Sequence, residues 1–310
     1  MITWGLSATI KAPADEILAF AAYHLELGAH RLYIYLDDDN PAAFSRLKAH
    51  PKIRVITCDN GYWRKLTGKR PPKHQSRQSA NATQAYHRRA EVDWLIHMDV
   101  DEFLWPDGAL INCLAALDRQ VQCARVRPME SLSGDGTMFK AFIPNGPNRD
   151  AIVSRLYPQF GPYVKGGFLS HLAGKLFVRP GLDDLVVKIH NVFQDSATNP
   201  GQVELGDVAL CHAHAKSWEN WISAYRFRLE KGSYRAELAP NRPRVMGGMS
   251  MHELLHWIES DAGEAGLRAF HDELCADTSE LRARLEKESA LRRCDLRLDH
   301  WRQKHFPNNG

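Results

Sequence analysis

Short apolar runs alternate with helix-like segments over the first third of the chain, and this alternation restricts the possible folds more than any other feature of the sequence. The runs over 2–11, 31–36, 53–57 and 94–98 are rich in β-branched and aromatic residues. Between them, 14–27, 41–50 and 75–90 read as helices, the first opened by Pro13 and closed by Gly28. Strands that alternate with helices predict an α/β fold, with a mainly parallel sheet flanked by helices.

After residue 57 the sequence pattern changes. Between 58 and 74, glycines, prolines and five basic residues predict an exposed loop. Short strands broken by Gly and Pro fill 123–180, a helix is expected over 218–229, and 251–293 contains charged helical stretches. We therefore expect one domain over 1–245, with halves at about 1–120 and 121–245, and a C-terminal helical extension over 246–310.

Composition excludes several classes of protein. The 310 residues are 44% hydrophobic and 25% charged, as in ordinary globular proteins, which excludes general disorder and fibres. A net charge of +3 is too small for bulk capture of nucleic acid, so no nucleic-acid partner is expected. No run approaches the ~20 apolar residues of a membrane span, and the N-terminus lacks the order of a signal peptide, which predicts a cytoplasmic location. The 6 cysteines are far apart and are expected to be free, mostly buried thiols.

The sharpest chemical feature is Asp99-x-Asp101-Glu102 at the end of a predicted buried strand. Open parallel sheets bind ligands just beyond the carboxyl ends of their strands. Alternation along a strand would put Asp99 and Asp101 on one face and point Glu102 elsewhere. Two carboxylates on one side predict an oxygen site for Mg²⁺ or Mn²⁺. The alternative is a turn or a helix N-cap, since Asp107 and Gly108 follow closely.

Three pieces of the first half occur in a characteristic order: H-x-x-x-G at His24 to Gly28, an acidic turn at Asp37, and W-x-x-x-x-D-x-D-E-F from Trp94 to Phe103. With them the chain resembles the nucleotide-diphospho-sugar transferases of the GT-A fold, in particular the glycosyltransferases of families 2 and 92. Segments 174–181, 188–191 and 212–232 resemble later elements of the same proteins, so the resemblance covers about 3–232.

This resemblance implies a GT-A fold with a donor half over about 1–120 and an acceptor half over about 121–245. It implies a metal-dependent, inverting glycosyltransferase that uses Mn²⁺ or Mg²⁺. The substrates would be a nucleotide-diphospho-sugar donor and a saccharide or other hydroxyl acceptor. Since no membrane segment is evident, we expect a cytoplasmic enzyme, soluble or peripherally associated with a membrane, of the kind used in polysaccharide biosynthesis.

The resemblance also assigns roles to particular residues. The residues matched to the donor are Asp37, Gln78 and Asp99, and Asp59 after the third strand is a further donor candidate. Lys73 is a donor candidate on its charge alone, because a basic residue in an exposed loop can steer a diphosphate. The residues matched to the metal are Asp99, Asp101 and His212, with His214 as the rival of His212 and His190 as a further cleft candidate. Three of these residues have an ordinary structural alternative to a functional role. Asp37 could be a solvated turn carboxylate, Gln78 part of an exposed helix face, and His212 a structural histidine.

Transfer with inversion requires a general base near the acceptor hydroxyl. The segment 131–136 resembles the glycine-rich loop that lines the acceptor side in these enzymes, which makes Asp135 the expected catalytic base. Glu130 and Asp150 are the alternatives.

Two other functions stay open from the sequence. Paired aspartates at strand ends also bind metals in phosphoesterases and nucleotidyltransferases. No glycine-rich G-x-x-x-x-G-K phosphate loop is present, which weakens that reading. The other alternative is a non-catalytic protein that binds a carbohydrate or a sugar nucleotide.

Overall fold

The computed structural model describes residues 2–88 and 91–307. The chain divides into two compact units: Met1–Arg127, Ala173–Leu210 and Leu296–Gly310 form the first, and Pro128–Leu172 and Cys211–Asp295 form the second. These units do not follow the expected boundary at residue 245. The chain leaves the first unit after residue 127, returns to it twice, and ends in it.

The elements have the following bounds in the described residues. The strands are β1 (Trp4–Ile10), β2 (Arg31–Leu36), β3 (Ile53–Thr57), β4 (Trp94–His97), β5 (Glu102–Pro106), β6 (Cys123–Ser131), β7 (Met138–Lys140), β8 (Lys175–Val178), β9 (Val186–Val187), β10 (Val192–Gln194), β11 (Ala197–Thr198), β12 (Gln202–His212) and β13 (Leu291–Arg293). The helices are α1 (Ala14–Glu26), α2 (Pro41–Ala49), α3 (Asn60–Thr67), α4 (His74–His87), α5 (Leu110–Ala115), α6 (Arg149–Leu156), α7 (Trp218–Glu230), α8 (Met251–Leu274), α9 (Ser279–Lys287) and α10 (Leu298–His305). Short 3-10 helices cover Gly161–Tyr163, Lys165–Gly167 and Arg244–Met246.

The first unit contains the expected parallel strands, in the order β3-β2-β1-β4. All seven residues of β1 are buried, which explains its continuous apolar character. Beyond β4 the sheet becomes antiparallel, because β8 pairs with β4 and β6 pairs with β8 in that sense. The α/β class with helices flanking a central sheet is confirmed, and the sheet is mixed. A separate small sheet has the order β11-β10-β9.

Helix α3 lies inside the segment expected to be a loop, so that prediction was wrong. Asp59 caps α3 by accepting a hydrogen bond from the Tyr62 N–H at 2.7 Å, and Trp63 is completely buried. The glycines and prolines that indicated a loop come mostly after the helix, which ends at Gly68 with a φ of +79°. The basic residues of α3 therefore accompany an amphipathic helix.

The second unit has its own core and short antiparallel strands. The end of β6 pairs with β7, and β7 pairs with β13. Residues of α8 and α9, such as Phe270 and Leu285, share one buried cluster with Tyr157 and Trp221. Residues 251–287 are therefore part of the core of this unit and do not form a separate extension.

The last helix, α10, belongs to the first unit and packs against α1. The Arg302 guanidinium lies 2.7 Å from Asp15, and the Lys304 ammonium lies 2.9 Å from Glu26. Within residues 2–88 and 91–307, none of the helices has the length and apolar character needed to cross a bilayer. The cysteines are free thiols, all buried except the half-buried Cys113, which confirms the expectation.

Candidate functional site

The Asp99-x-Asp101 segment lies in a turn at the carboxyl end of β4. The strand ends at His97, and the Glu102 N–H donates to the Asp99 carbonyl at 3.1 Å just before β5 begins. Asp99 and Asp101 are half-buried, while Glu102 is completely buried. Strand alternation does not govern these side chains, because β4 ends before Asp99. The turn lies where open parallel sheets bind ligands.

Three side chains surround Asp99 within the first unit. The Gln78 amide donates a hydrogen bond to Oδ1, and the Lys175 Nζ lies 2.7 Å from Oδ2. The Glu102 carboxylate accepts a hydrogen bond from the Asp99 N–H at 2.8 Å and lies 3.2 Å from the Lys175 Nζ. Gln78, Asp99, Glu102 and Lys175 therefore form one connected group, which we call the carboxylate cluster.

Lys175 brings a positive charge into the carboxylate cluster. Its side chain is completely buried at the start of β8. Burial lowers the pKa of the ammonium, but attraction to Asp99 and Glu102 outweighs burial and leaves that pKa above its ordinary value. The ammonium therefore stays charged at neutral pH and offsets one of the two carboxylates.

The donor atoms of the turn fit a hard divalent cation. Asp99 and Asp101 supply carboxylate oxygens, which Mg²⁺ and Mn²⁺ prefer over nitrogen or sulfur. The buried His97 adds no competing charge, because burial lowers its pKa to about 4 and leaves the imidazole neutral at physiological pH.

The predicted donor residue Asp37 lies buried just after β2 and is ion-paired. The Arg70 guanidinium lies 2.7 Å from Oδ1, the Arg77 guanidinium lies 2.8 Å from Oδ2, and the His74 Nδ1 lies 3.4 Å from Oδ2. Burial raises the pKa of Asp37, but these partners outweigh burial and hold the pKa below its ordinary value. The carboxylate thus positions two arginines at the carboxyl end of β2.

The other predicted donor residues have simpler surroundings. Asp59 is exposed and serves as the N-cap of α3, while Lys73 is exposed at the N-terminus of α4. Gln78, expected to contact the donor, is buried and contacts Asp99 directly. The structure therefore brings Gln78 and Asp99 together, and it gives Asp59 a local structural role.

His212 is the last residue of β12 and lies in the second unit. Its ring centroid is 5.1 Å from that of His171 and 5.3 Å from that of His214. His212 is buried, and the other two are half-buried. The expected histidine and its rival are thus neighbours, joined by a third histidine that the sequence analysis did not select.

The predicted general base, Asp135, is exposed in a turn of the second unit. Its Oδ1 accepts hydrogen bonds from the Thr137 N–H at 2.9 Å and from the Thr137 hydroxyl at 2.7 Å. These bonds hold the pKa of Asp135 below its ordinary value, as expected for a turn-forming carboxylate. Asp150 is exposed in the first turn of α6.

The alternative base Glu130 is buried, and both of its carboxylate oxygens accept hydrogen bonds or form an ion pair. Its carboxylate lies 2.6 Å from the Lys140 Nζ and accepts hydrogen bonds from the N–H groups of Leu169 and Ser170 at 3.1 and 2.7 Å. Burial raises its pKa, but Lys140 and His214 outweigh burial and lower the pKa to about 2. A carboxylate held in this way is a structural ion and does not fit a proton-accepting base.

Sequence reasoning missed Lys175, Arg77 and the inward position of Glu102. Lys175 lies in the run GKLFVRPG that carried part of the resemblance, and Arg77 directly precedes Gln78. A buried lysine at the start of an apolar strand was the available signal, because such a charge requires an acidic partner.

No protein-family model matches the chain, and no curated protein matches it. Among solved structures, a mycobacterial protein is similar at 13% identity and a TM-score of 0.32, covering 90% of this chain and 76% of that one. HddC from Yersinia pseudotuberculosis is similar at 12% identity and a TM-score of 0.34, covering 73% of this chain and 100% of that one. Likenesses this distant carry no argument about function.

Proposed function

We propose that this chain is a metal-dependent glycosyltransferase that moves a sugar from a nucleotide-diphospho-sugar to a hydroxyl acceptor. The observation that carries the proposal is the acidic turn at the carboxyl end of β4, where Asp99 is held in place by Gln78 and Lys175. A half-buried acid that is paired with a buried counter-ion is a candidate for chemistry rather than for a surface turn.

A divalent ion held by Asp99 and Asp101 would neutralise the charge that develops on a departing nucleoside diphosphate. The chain's own residues would prepare that site. Gln78 and Lys175 orient the Asp99 carboxylate, so that little reorganisation is needed when a ligand binds.

The arginines at the end of β2 support the same assignment. Since β2, β1 and β4 are parallel, the carboxyl ends of all three strands lie at one edge of the sheet. Arg70 and Arg77, paired with Asp37, place positive charge at that edge, and guanidinium groups are well suited to phosphate oxygens. The roles of His212 in the metal site and of Asp135 as base stay predictions, as does inversion.

The test is thermal stabilisation by UDP- and GDP-sugars with and without Mn²⁺. A ligand at a hundredfold its dissociation constant stabilises the folded protein by about 2.7 kcal/mol. Asp101→Asn should abolish the Mn²⁺-dependent part of this stabilisation, whereas the same change at the exposed Asp107 should preserve it.

The products of slow donor hydrolysis separate this function from its alternatives. Release of a nucleoside diphosphate and free sugar supports a glycosyltransferase, and release of a nucleoside monophosphate and a sugar 1-phosphate indicates a phosphoesterase. Stabilisation by nucleotide sugars with no turnover indicates a binding protein. An Asp101→Asn variant that responds to Mn²⁺ and nucleotide as the parent does would contradict the metal assignment.

A further inference from the structure

A groove of about 940 Å³ runs along the outer face of α4 in the first unit. The opposite wall is the segment 186–193, which contains β9 and β10. The two walls are fastened together, because the Ser79 hydroxyl donates to the Val187 carbonyl at 2.6 Å and the Val187 N–H donates to the Thr83 hydroxyl at 3.0 Å. We call this feature the α4 groove. Its walls are held in place before any ligand arrives, which lowers the entropic cost of binding.

The α4 groove exposes a mostly apolar surface, although many of its lining residues have polar side chains, and it carries positive charge. Lys188 and Arg88 are exposed along it, and no Asp or Glu occurs among its described lining residues. The Lys188 Nζ lies 4.4 Å from the centroid of the Phe193 ring, which places a cation beside an apolar surface. Amide side chains, among them Gln75, add hydrogen-bonding groups. A mostly apolar surface with positive charge along it suits a ligand that offers apolar ring faces, hydroxyl groups and negative charge, as an acidic saccharide does.

One end of the α4 groove adjoins the carboxylate cluster. The His190 Nδ1 donates a hydrogen bond to the Gly174 carbonyl at 3.0 Å, and Gly174 directly precedes Lys175. On the other wall, Gln75 lies one helical turn before Gln78. From Gln75 to Arg88 the chain rises about 20 Å, so the groove is long enough for an extended ligand with one end at the start of α4, one helical turn before Gln78.

We propose that the α4 groove binds the acceptor, and that this acceptor is an extended, negatively charged saccharide chain. The proposal rests on the proposed glycosyltransferase function, because it assigns the acceptor of that reaction. Stacked nucleic-acid bases would need several large aromatic side chains, and Phe193 is the only Phe, Tyr or Trp among the described lining residues.

The experiment measures binding of oligogalacturonate, an acidic saccharide, and of maltooligosaccharide, a neutral one, by calorimetry at low salt. Lys188→Glu reverses a charge inside the groove, and Lys48→Glu makes the same change at an exposed position of α2 outside it. Both residues are exposed, and circular dichroism checks that both variants fold. Stabilisation by UDP- and GDP-sugars with Mn²⁺ is measured on the same samples.

We expect the parent and Lys48→Glu to bind the acidic chain more tightly than the neutral one, and Lys188→Glu to bind it about fivefold to tenfold more weakly. Donor stabilisation should be equal in all three proteins. The proposal is overturned if both saccharides bind equally and Lys188→Glu has no effect. It is also overturned if Lys188→Glu weakens only the stabilisation by nucleotide sugars.

Two further outcomes separate this proposal from the one on which it rests. If nucleotide sugars stabilise the protein and neither saccharide binds, the acceptor groove is wrong and the glycosyltransferase assignment stands. If neither nucleotide sugars nor saccharides bind, both are wrong.

Discussion

Replacement of Lys175 by methionine removes the one ammonium of the carboxylate cluster while keeping a side chain of similar length. Breaking a buried ion pair costs about 3–5 kcal/mol, because the remaining charge stays buried without compensation. The Glu102 side chain is completely buried, whereas the Asp99 side chain is 28% exposed and can be partly solvated. Most of the loss should therefore come from Glu102, and we expect Lys175→Met to lower the free energy of unfolding by about 3 kcal/mol.

Urea unfolding with and without Mn²⁺ measures this loss and shows whether a cation can replace the ammonium. Mn²⁺ should restore part of the stability of Lys175→Met, by up to about 2.7 kcal/mol at a hundredfold excess over its dissociation constant. Lys140→Met is the matched control, because Lys140 is equally buried and lies 2.6 Å from the buried Glu130. It should lose about 3–5 kcal/mol, and Mn²⁺ should stabilise it only as much as it stabilises the parent, whose carboxylate cluster is equally intact.

Two results would refute this reasoning. A Lys175→Met variant as stable as the parent would mean that the ammonium does not compensate the buried charge. Stabilisation of Lys175→Met by Mn²⁺ that is no larger than that of the parent and of Lys140→Met would mean that the ion does not replace the missing ammonium.

Three further predictions concern stability. Asp37→Asn should lower the free energy of unfolding by about 3 kcal/mol at neutral pH. That difference should shrink in urea titrations below pH 3.8, because the folded carboxylate, with its lowered pKa, loses its contribution as it protonates. Gly174→Ala should lower the melting temperature far more than Gly28→Ala. Both glycines have a positive φ, but only a Cβ at 174 would clash with the Val126 carbonyl oxygen, since nothing lies near a Cβ at 28. We expect the free energy of unfolding to fall by about 1 kcal/mol for Gly28→Ala and by more than about 3 kcal/mol for Gly174→Ala. Burial lowers the pKa of His24 from 6.5 to about 3, so between these pH values the unfolded chain binds more protons than the folded protein, and the free energy of unfolding falls with falling pH. The loss is about 2 kcal/mol by pH 5. In a pH series of urea titrations, His24→Leu should remove this pH dependence.

The parallel strands were predictable because β1, β2 and β4 are buried almost throughout and each consists of one apolar run, while the half-buried β3 is rich in β-branched residues. The bounds of β2 and β3 match the expected ones, and α1 differs only at its last residue. Helix α3 was missed because Gly68 and the prolines after it dominated the pattern of that segment. The antiparallel strands could not be placed from sequence, since their partners are set by chain reversals far apart in the sequence.

The candidate site divides in the same way. Asp99 and Asp101 could be selected because a local pattern, an apolar strand followed by acids, contains the whole signal. Lys175 lies far along the chain from Asp99, and only the pairing of β8 with β4 brings the two together. His24, the histidine of the H-x-x-x-G motif, is completely buried and stacks on Phe103 with ring centroids 5.9 Å apart, so it contributes to packing in the first unit.

Under the proposed function, Lys175 also sets the net charge of the acidic turn. Asp99, Asp101 and Glu102 carry three formal negative charges, and Lys175 reduces that sum to two. One divalent ion then makes the site neutral. Without the ammonium the loaded site would keep one negative charge facing the incoming diphosphate, and like charges about 4 Å apart repel by about 4 kcal/mol at an effective dielectric constant near 20. Under that function, a buried lysine that costs free energy to desolvate would be useful, because a single metal ion would then neutralise the acidic turn and allow an anionic donor to approach.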